Sequence, residues 1–134
     1  MAAAHAPGTV LDRLERVIRG VFATLFEHRE IPRLMLHVLA ADRPVPSTAL
    51  RYIRANFATL TELIADGQAH GELREGEPRF LALSIVAQPI WFVMAEKIIR
   101  AGHLAEPDQP DERHDIVESV VDFVRAGLVQ HRRS

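Results

Sequence analysis

A helix that must end at a glycine in a left-handed conformation, with another, far more apolar helix starting a few residues later, constrains this chain more than any other feature. The stretch Leu63-Ile64-Ala65-Asp66-Gly67-Gln68-Ala69-His70-Gly71-Glu72-Leu73-Arg74 has that form. Gly71 stands where a C-terminal cap calls for positive φ, which a residue with a Cβ adopts only at a cost. Gly76 and Pro78 follow, and Pro78 suits the first turn of the next helix because its missing N–H would be unpaired there anyway.

Upstream, Val10, Leu14, Val17, Ile18, Val21, Phe22, Leu25 and Phe26 recur at spacings of three and four, predicting a helix with one broad apolar stripe. Thr9 is its expected N-cap, and Asp12 suits the positive end of the helix dipole. A shorter helix is expected from about Glu30 to Ala41, with Ile31, Leu34, Met35 and Val38 inward. Asp42-Arg43-Pro44-Val45-Pro46 breaks it, since proline disfavours helix in the residue before it. A long helix then starts near Ser47, with Leu50, Ile53, Phe57, Leu60 and Ile64 on one face.

From Phe80 to Ala95 only Ser84, Gln88 and Pro89 interrupt the apolar residues, and the pattern continues through Ile98 and Ile99 to Gly102. The run is shorter than the roughly 20 residues that cross a bilayer, and Glu96, Lys97 and Arg100 bound it, so it reads as a buried helix and no membrane association is expected. Pro89 predicts a kink near residues 85–88. After a loop from Ala105 to Pro110, Asp108 or Asp111 is the expected cap of a last helix. That helix carries two apolar stripes, Ile116/Val120/Phe123/Gly127 and Val117/Val121/Val124/Leu128. One stripe suffices to dock it on its own domain; the second leaves surface that a dimer would cover. The predicted class is therefore all-α with five main helices, a linker over 1–9, one helical domain over 10–131 and a tail over 132–134. Expected interface residues of a homodimer are Leu81, Ile85, Phe92, Val117, Val121, Val124 and Leu128.

The order of these pieces resembles the C-terminal half of TetR/AcrR-type transcriptional regulators over about Val10 to Leu128. It rests on Leu11-x-x-Leu14, on Glu27-His28-Arg29-Glu30-Ile31-Pro32-Arg33-Leu34-Met35 at a helix corner, and on Gly67-x-x-x-Gly71-Glu72-Leu73-Arg74 before a long apolar helix. The resemblance implies an effector-binding domain that dimerises through a four-helix bundle built from the last two long helices. In such regulators a ligand shifts the domain between two packings, and this changes DNA binding by an N-terminal helix-turn-helix headpiece. Here the chain begins Met1-Ala2-Ala3-Ala4-His5-Ala6-Pro7-Gly8, with no room for that headpiece, so DNA is an expected partner only through a head absent from these residues.

With 134 residues the chain suits a single domain. A net charge of −2 and scattered arginines argue against a surface that tracks phosphates. The lack of cysteine excludes disulfides and thiolate metal sites and fits a reducing cytoplasm. Seven histidines invite a metal reading, but only Asp111-x-x-His114 approaches the Glu-x-x-His pairs of a bundle metal site, so neither metal nor cofactor is expected. No phosphate-cradling glycine loop or Gly-x-Ser-x-Gly turn nominates catalytic chemistry, and an enzyme is not expected. Phe22, Phe26, Met35, Phe57, Trp91 and Met94 are instead the expected lining of a pocket for a small, largely apolar effector, with Gln88 as its polar group. No lysine or arginine is expected deep in it. The alternative is a stand-alone helical interaction module with a packed core and no ligand.

Overall fold

The computed structural model describes residues 8–130, apart from the side chain of Tyr52; the expected start of the linker and the 132–134 tail lie outside the described residues. The fold is all-α: α1 (Val10–Glu27), α2 (Glu30–Ala40), α3 (Ser47–Ala69), α4 (Pro78–Met94), α5 (Glu96–Ala101) and α6 (Pro110–Leu128). Five of the six are longer than α5, matching the five main helices expected from the apolar spacing. No helix among the described residues is long and apolar enough to cross a membrane.

Helix α4 is the hub. It packs on α1 and α3 most extensively and also on α2, α5 and α6. The core it shares includes Leu14, Ile18 and Phe22 of α1, Leu60 and Ile64 of α3, Ile85 and Val93 of α4, and Val121 and Val124 of α6. Helix α1 begins as its sequence predicts, with Thr9 as N-cap, and the Asp12 carboxylate returns a bond to the Thr9 backbone N–H. Helix α4 continues through Pro89; the break falls later, at Ala95, which separates α4 from the short α5. Neither Asp108 nor Asp111 caps α6: its N-cap is Gln109, with no side-chain bond, and Pro110 occupies the first turn.

Gly71 adopts φ +75°. The N–H of Glu72 bonds to the carbonyl of Gly67 at 2.9 Å and that of Gly71 to Gln68 at 3.1 Å, a Schellman ending for α3. Gly67 is small for another reason, since a Cβ there would lie 2.8 Å from the Leu73 side chain and 2.9 Å from that of Val10. The loop then becomes a clasp. Leu73 is buried, the Glu72 carboxylate accepts the free N–H of Val10 at the start of α1 (3.2 Å), and the Arg74 N–H bonds to Leu128 O at the end of α6 (2.8 Å). Gln68 adds bonds from its side-chain amide to the carbonyls of Arg74 and Gly76.

Helix α2 departs from expectation. Of its residues only Pro32 is buried; Leu34 is 65% exposed, Ile31 is exposed, and Met35 and Val38 are half-buried. The first turns of α3 behave alike, with Leu50 and Ile53 exposed. Their spacing makes an apolar face, but among the described residues it is largely uncovered, α4 being the main neighbour of both helices.

Candidate functional site

The expected pocket residues do not converge. Phe22 is core, stacked on Phe26 with centroids 6.0 Å apart and tilted against Phe92 at 6.5 Å. Phe22 and Phe26 border a cleft of about 400 Å³ between α1 and α6, together with Arg19, Arg113, His114 and Val117. Phe57 borders a separate, mostly apolar groove of about 490 Å³ beside Ala58, Arg79 and Leu83. Met94 belongs to a third cleft. Met35 and Gln88, both half-buried, border none of the three. Trp91 is 54% exposed and also borders none of them, so it is corrected from pocket lining to surface.

The reason lies in α4. Its buried positions, Ala82, Ile85, Val86, Pro89 and Val93, occupy one face. Phe80, Leu83, Ser84, Ala87 and Trp91 repeat at helical spacing on the opposite face and are exposed. A helix apolar all round is expected to be covered all round, and this one is covered on one side only.

The interface residues are revised on the same grounds. Ile85, Val121, Val124 and Leu128 are at most 5% exposed inside the protomer's own core, so they cannot also face a second copy. Leu81, Phe92 and Val117 are half-buried against that core. Outward on α6 is Phe123, 70% exposed.

The largest of these clefts, about 770 Å³, lies between α2, the end of α4, α5 and the loop before α6. Arg29, Arg33 and Leu36 repeat along one face of α2 at spacings of four and three, and Lys97, Arg100 and Ala101 repeat along α5. Pro32, Val93 and Met94 supply an apolar floor. Glu96, the one buried charged residue among the described residues, is held there by an ion pair with Arg29, whose guanidinium also lies 5.3 Å from the Phe26 ring centroid. Arg113 covers the same ring at 4.0 Å, so Phe26 is already occupied by cations. Arg100 lies 3.5 Å from Asp108 Oδ1, a buried oxygen that receives no hydrogen bond. This cleft shares only Met94 with the expected apolar lining, and unlike that lining it is rimmed by lysine and arginine. The signal was legible as the repeat Arg29/Arg33/Leu36, which continues the cleft-facing side of α2.

Helix α5, which lines the cleft, ends in a strained turn. His103 sits at φ +54°, where a side chain is disfavoured, and its N–H bonds to Arg100 O while that of Leu104 bonds to Ile99 O. This is the same helix ending as at Gly71, with the glycine displaced by one position to Gly102. No group of three or more potential metal ligands occurs among the described residues, and His70 Nδ1 meets the Asp66 carbonyl rather than its carboxylate. Between α1 and α6, Arg19 makes a two-pronged bond to Glu118 at 2.7 and 3.1 Å and another to Glu15, while Arg125 reaches Asp12 and Glu15. The Arg19 hydrogen bonds hold the Glu118 carboxyl below its usual range. No family model, curated protein or solved structure matches the chain, and its functional reading rests on these residues and their geometry.

Proposed function

We propose that residues 10–131 form the effector-sensing and dimerisation domain of a TetR-like transcriptional regulator, with DNA contacted by a helix-turn-helix headpiece outside these residues. The observation that carries the reading is α4, which is apolar on both faces but covered on one. Phe80, Leu83, Ala87 and Trp91, with Phe123 of α6, are the surface a second copy would bury. Such an interface should exceed the roughly 1,000 Å² that separates specific association from most crystal contacts. The effector site is the cleft between α2 and α5, whose volume suits a small molecule. A ligand seated there bears on α2, the element with the least burial, and shifts it toward whichever packing binds the ligand better.

Light scattering on the purified chain is expected to give a dimer at micromolar concentration, and Trp91→Glu a folded monomer. Val121→Glu should instead unfold the domain, because Val121 is 1% exposed within the protomer. A monomeric parent chain would overturn the reading. A second reading, an interaction module without a small-molecule ligand, is favoured by the exposed Leu34, Leu39, Leu50 and Ile53. It gains ground if no compound in a broad panel raises the melting temperature.

A further inference from the structure

Cations outnumber carboxylates around the α2–α5 cleft. Arg29, Arg33, Lys97 and Arg100 face Glu96 and Asp108. Both carboxylates are already engaged, Glu96 by Arg29 and Asp108 by Arg100. Arg33 and Lys97 form no ion pair among the described residues, and each lies on the same helical face as another cation, Arg33 four residues after Arg29 and Lys97 three before Arg100. Like charges at those spacings repel. Beneath them lies the apolar floor of Pro32, Val93 and Met94, with Leu36 beside it.

We propose that this cleft binds an amphipathic anion, its carboxylate or phosphate head between Arg33 and Lys97 and its short apolar tail on Val93 and Met94. The assignment deepens the effector reading of the same cleft and rests on it. An anion relieves the repulsion on both helices at once, and because α2 and α5 each contribute one free cation, it draws the least buried helix toward the core. A neutral ligand of the same shape has no such effect.

The test is calorimetric titration of the full chain with three probes sharing one tail: decanoate, decan-1-ol and decylamine. Decanoate is expected to bind at least tenfold more tightly than decan-1-ol. The double variant R33Q/K97Q should lose that advantage while binding decan-1-ol as before, and R79Q, which removes an exposed arginine bordering a different groove, should leave it intact. Both altered positions are exposed, and an unchanged circular dichroism spectrum checks that the variant folds. Equal binding of decan-1-ol, stronger binding of decylamine, or an unaffected double variant overturns the anion assignment and leaves the effector reading standing. If none of the three binds, the assignment falls, and the effector reading falls with it only if a panel of unrelated neutral compounds also fails to stabilise the chain.

Discussion

The two ends of α3 show how unevenly this domain is held together. At its C-terminal end Leu60 and Ile64 are fully buried, Gly67 admits Leu73 and Val10 at close range, and the clasp joins the start of α1 to the end of α6. At the other end Leu50 and Ile53 are exposed and α2 lies alongside α4 with a single buried residue. Both ends carry apolar residues at helical spacing. They differ in how many neighbours cover that face, and burial rather than apolarity is what stabilises. Of this lightly held region it is α2 that borders the charged cleft, which is where a responsive element belongs, since segments that move are drawn from the least stable parts of a fold.

The sharpest way to break this contrast is to truncate one leucine at each end. Leu60→Ala should cost about 2–5 kcal/mol through lost burial and an unfilled cavity. Leu39→Ala, at a position 73% exposed, should stay within about 0.5 kcal/mol. Urea denaturation checks both, and equal losses would show that α2 is as firmly packed as α3.

The two left-handed helix endings sharpen the comparison at smaller scale. Gly71→Ala should destabilise by roughly 1–2 kcal/mol, because a Cβ there meets backbone strain rather than a clash. His103→Gly should act in the opposite direction, by about 0.5–1 kcal/mol, relieving the strain at the end of α5. Shifts in melting temperature of opposite sign are the expected readout; a destabilised His103→Gly would mean that its imidazole holds the loop.

The smallest effect is on pH dependence. Glu118 is depressed below its ordinary value of 4.5, chiefly by hydrogen bonds from Arg19, and Asp12 below 3.8, chiefly by the Thr9 hydroxyl and then by Arg125. A group whose folded pKa is depressed contributes stability above its unfolded value and loses it as pH falls through the folded one. Acidification through the carboxylate range should therefore loosen the α1–α6 seam, and Glu118→Gln should flatten that part of the profile in a thermal melt at stepped pH. An unchanged slope would place the acid sensitivity elsewhere.

Local signals carried the helices. Thr9 with Asp12, the three-four spacing of α1 and the glycine at 71 each act within a few residues, and each appears in the structure where the sequence puts it. What covers each face was not legible. Ile31 and Leu34 have the spacing of core residues and lie exposed, because periodicity says that a face is apolar and not what lies against it. The same gap misassigned Trp91 to a pocket and Val121 and Val124 to an interface, since two stripes on one helix do not announce which turns inward. The pairing of Arg19 with Glu118, 99 residues apart, leaves no local trace at all.

The clasp also settles how the domain would carry a load. The first turn of α1 and the last turn of α6 both end on the loop from Gly67 to Gly76, through Glu72 to Val10 and through Arg74 to Leu128. The two ends of the described chain therefore leave from one pole, side by side. Tension applied between them falls first on these few hydrogen bonds, the bridge between Leu73 and Val129, and the Arg125 ion pairs to Asp12 and Glu15, before it reaches the packed interior. The geometry is that of a latch, which opens at its fastening before the body deforms, and it would let the chain be rejoined end to end and cut elsewhere with its core unchanged.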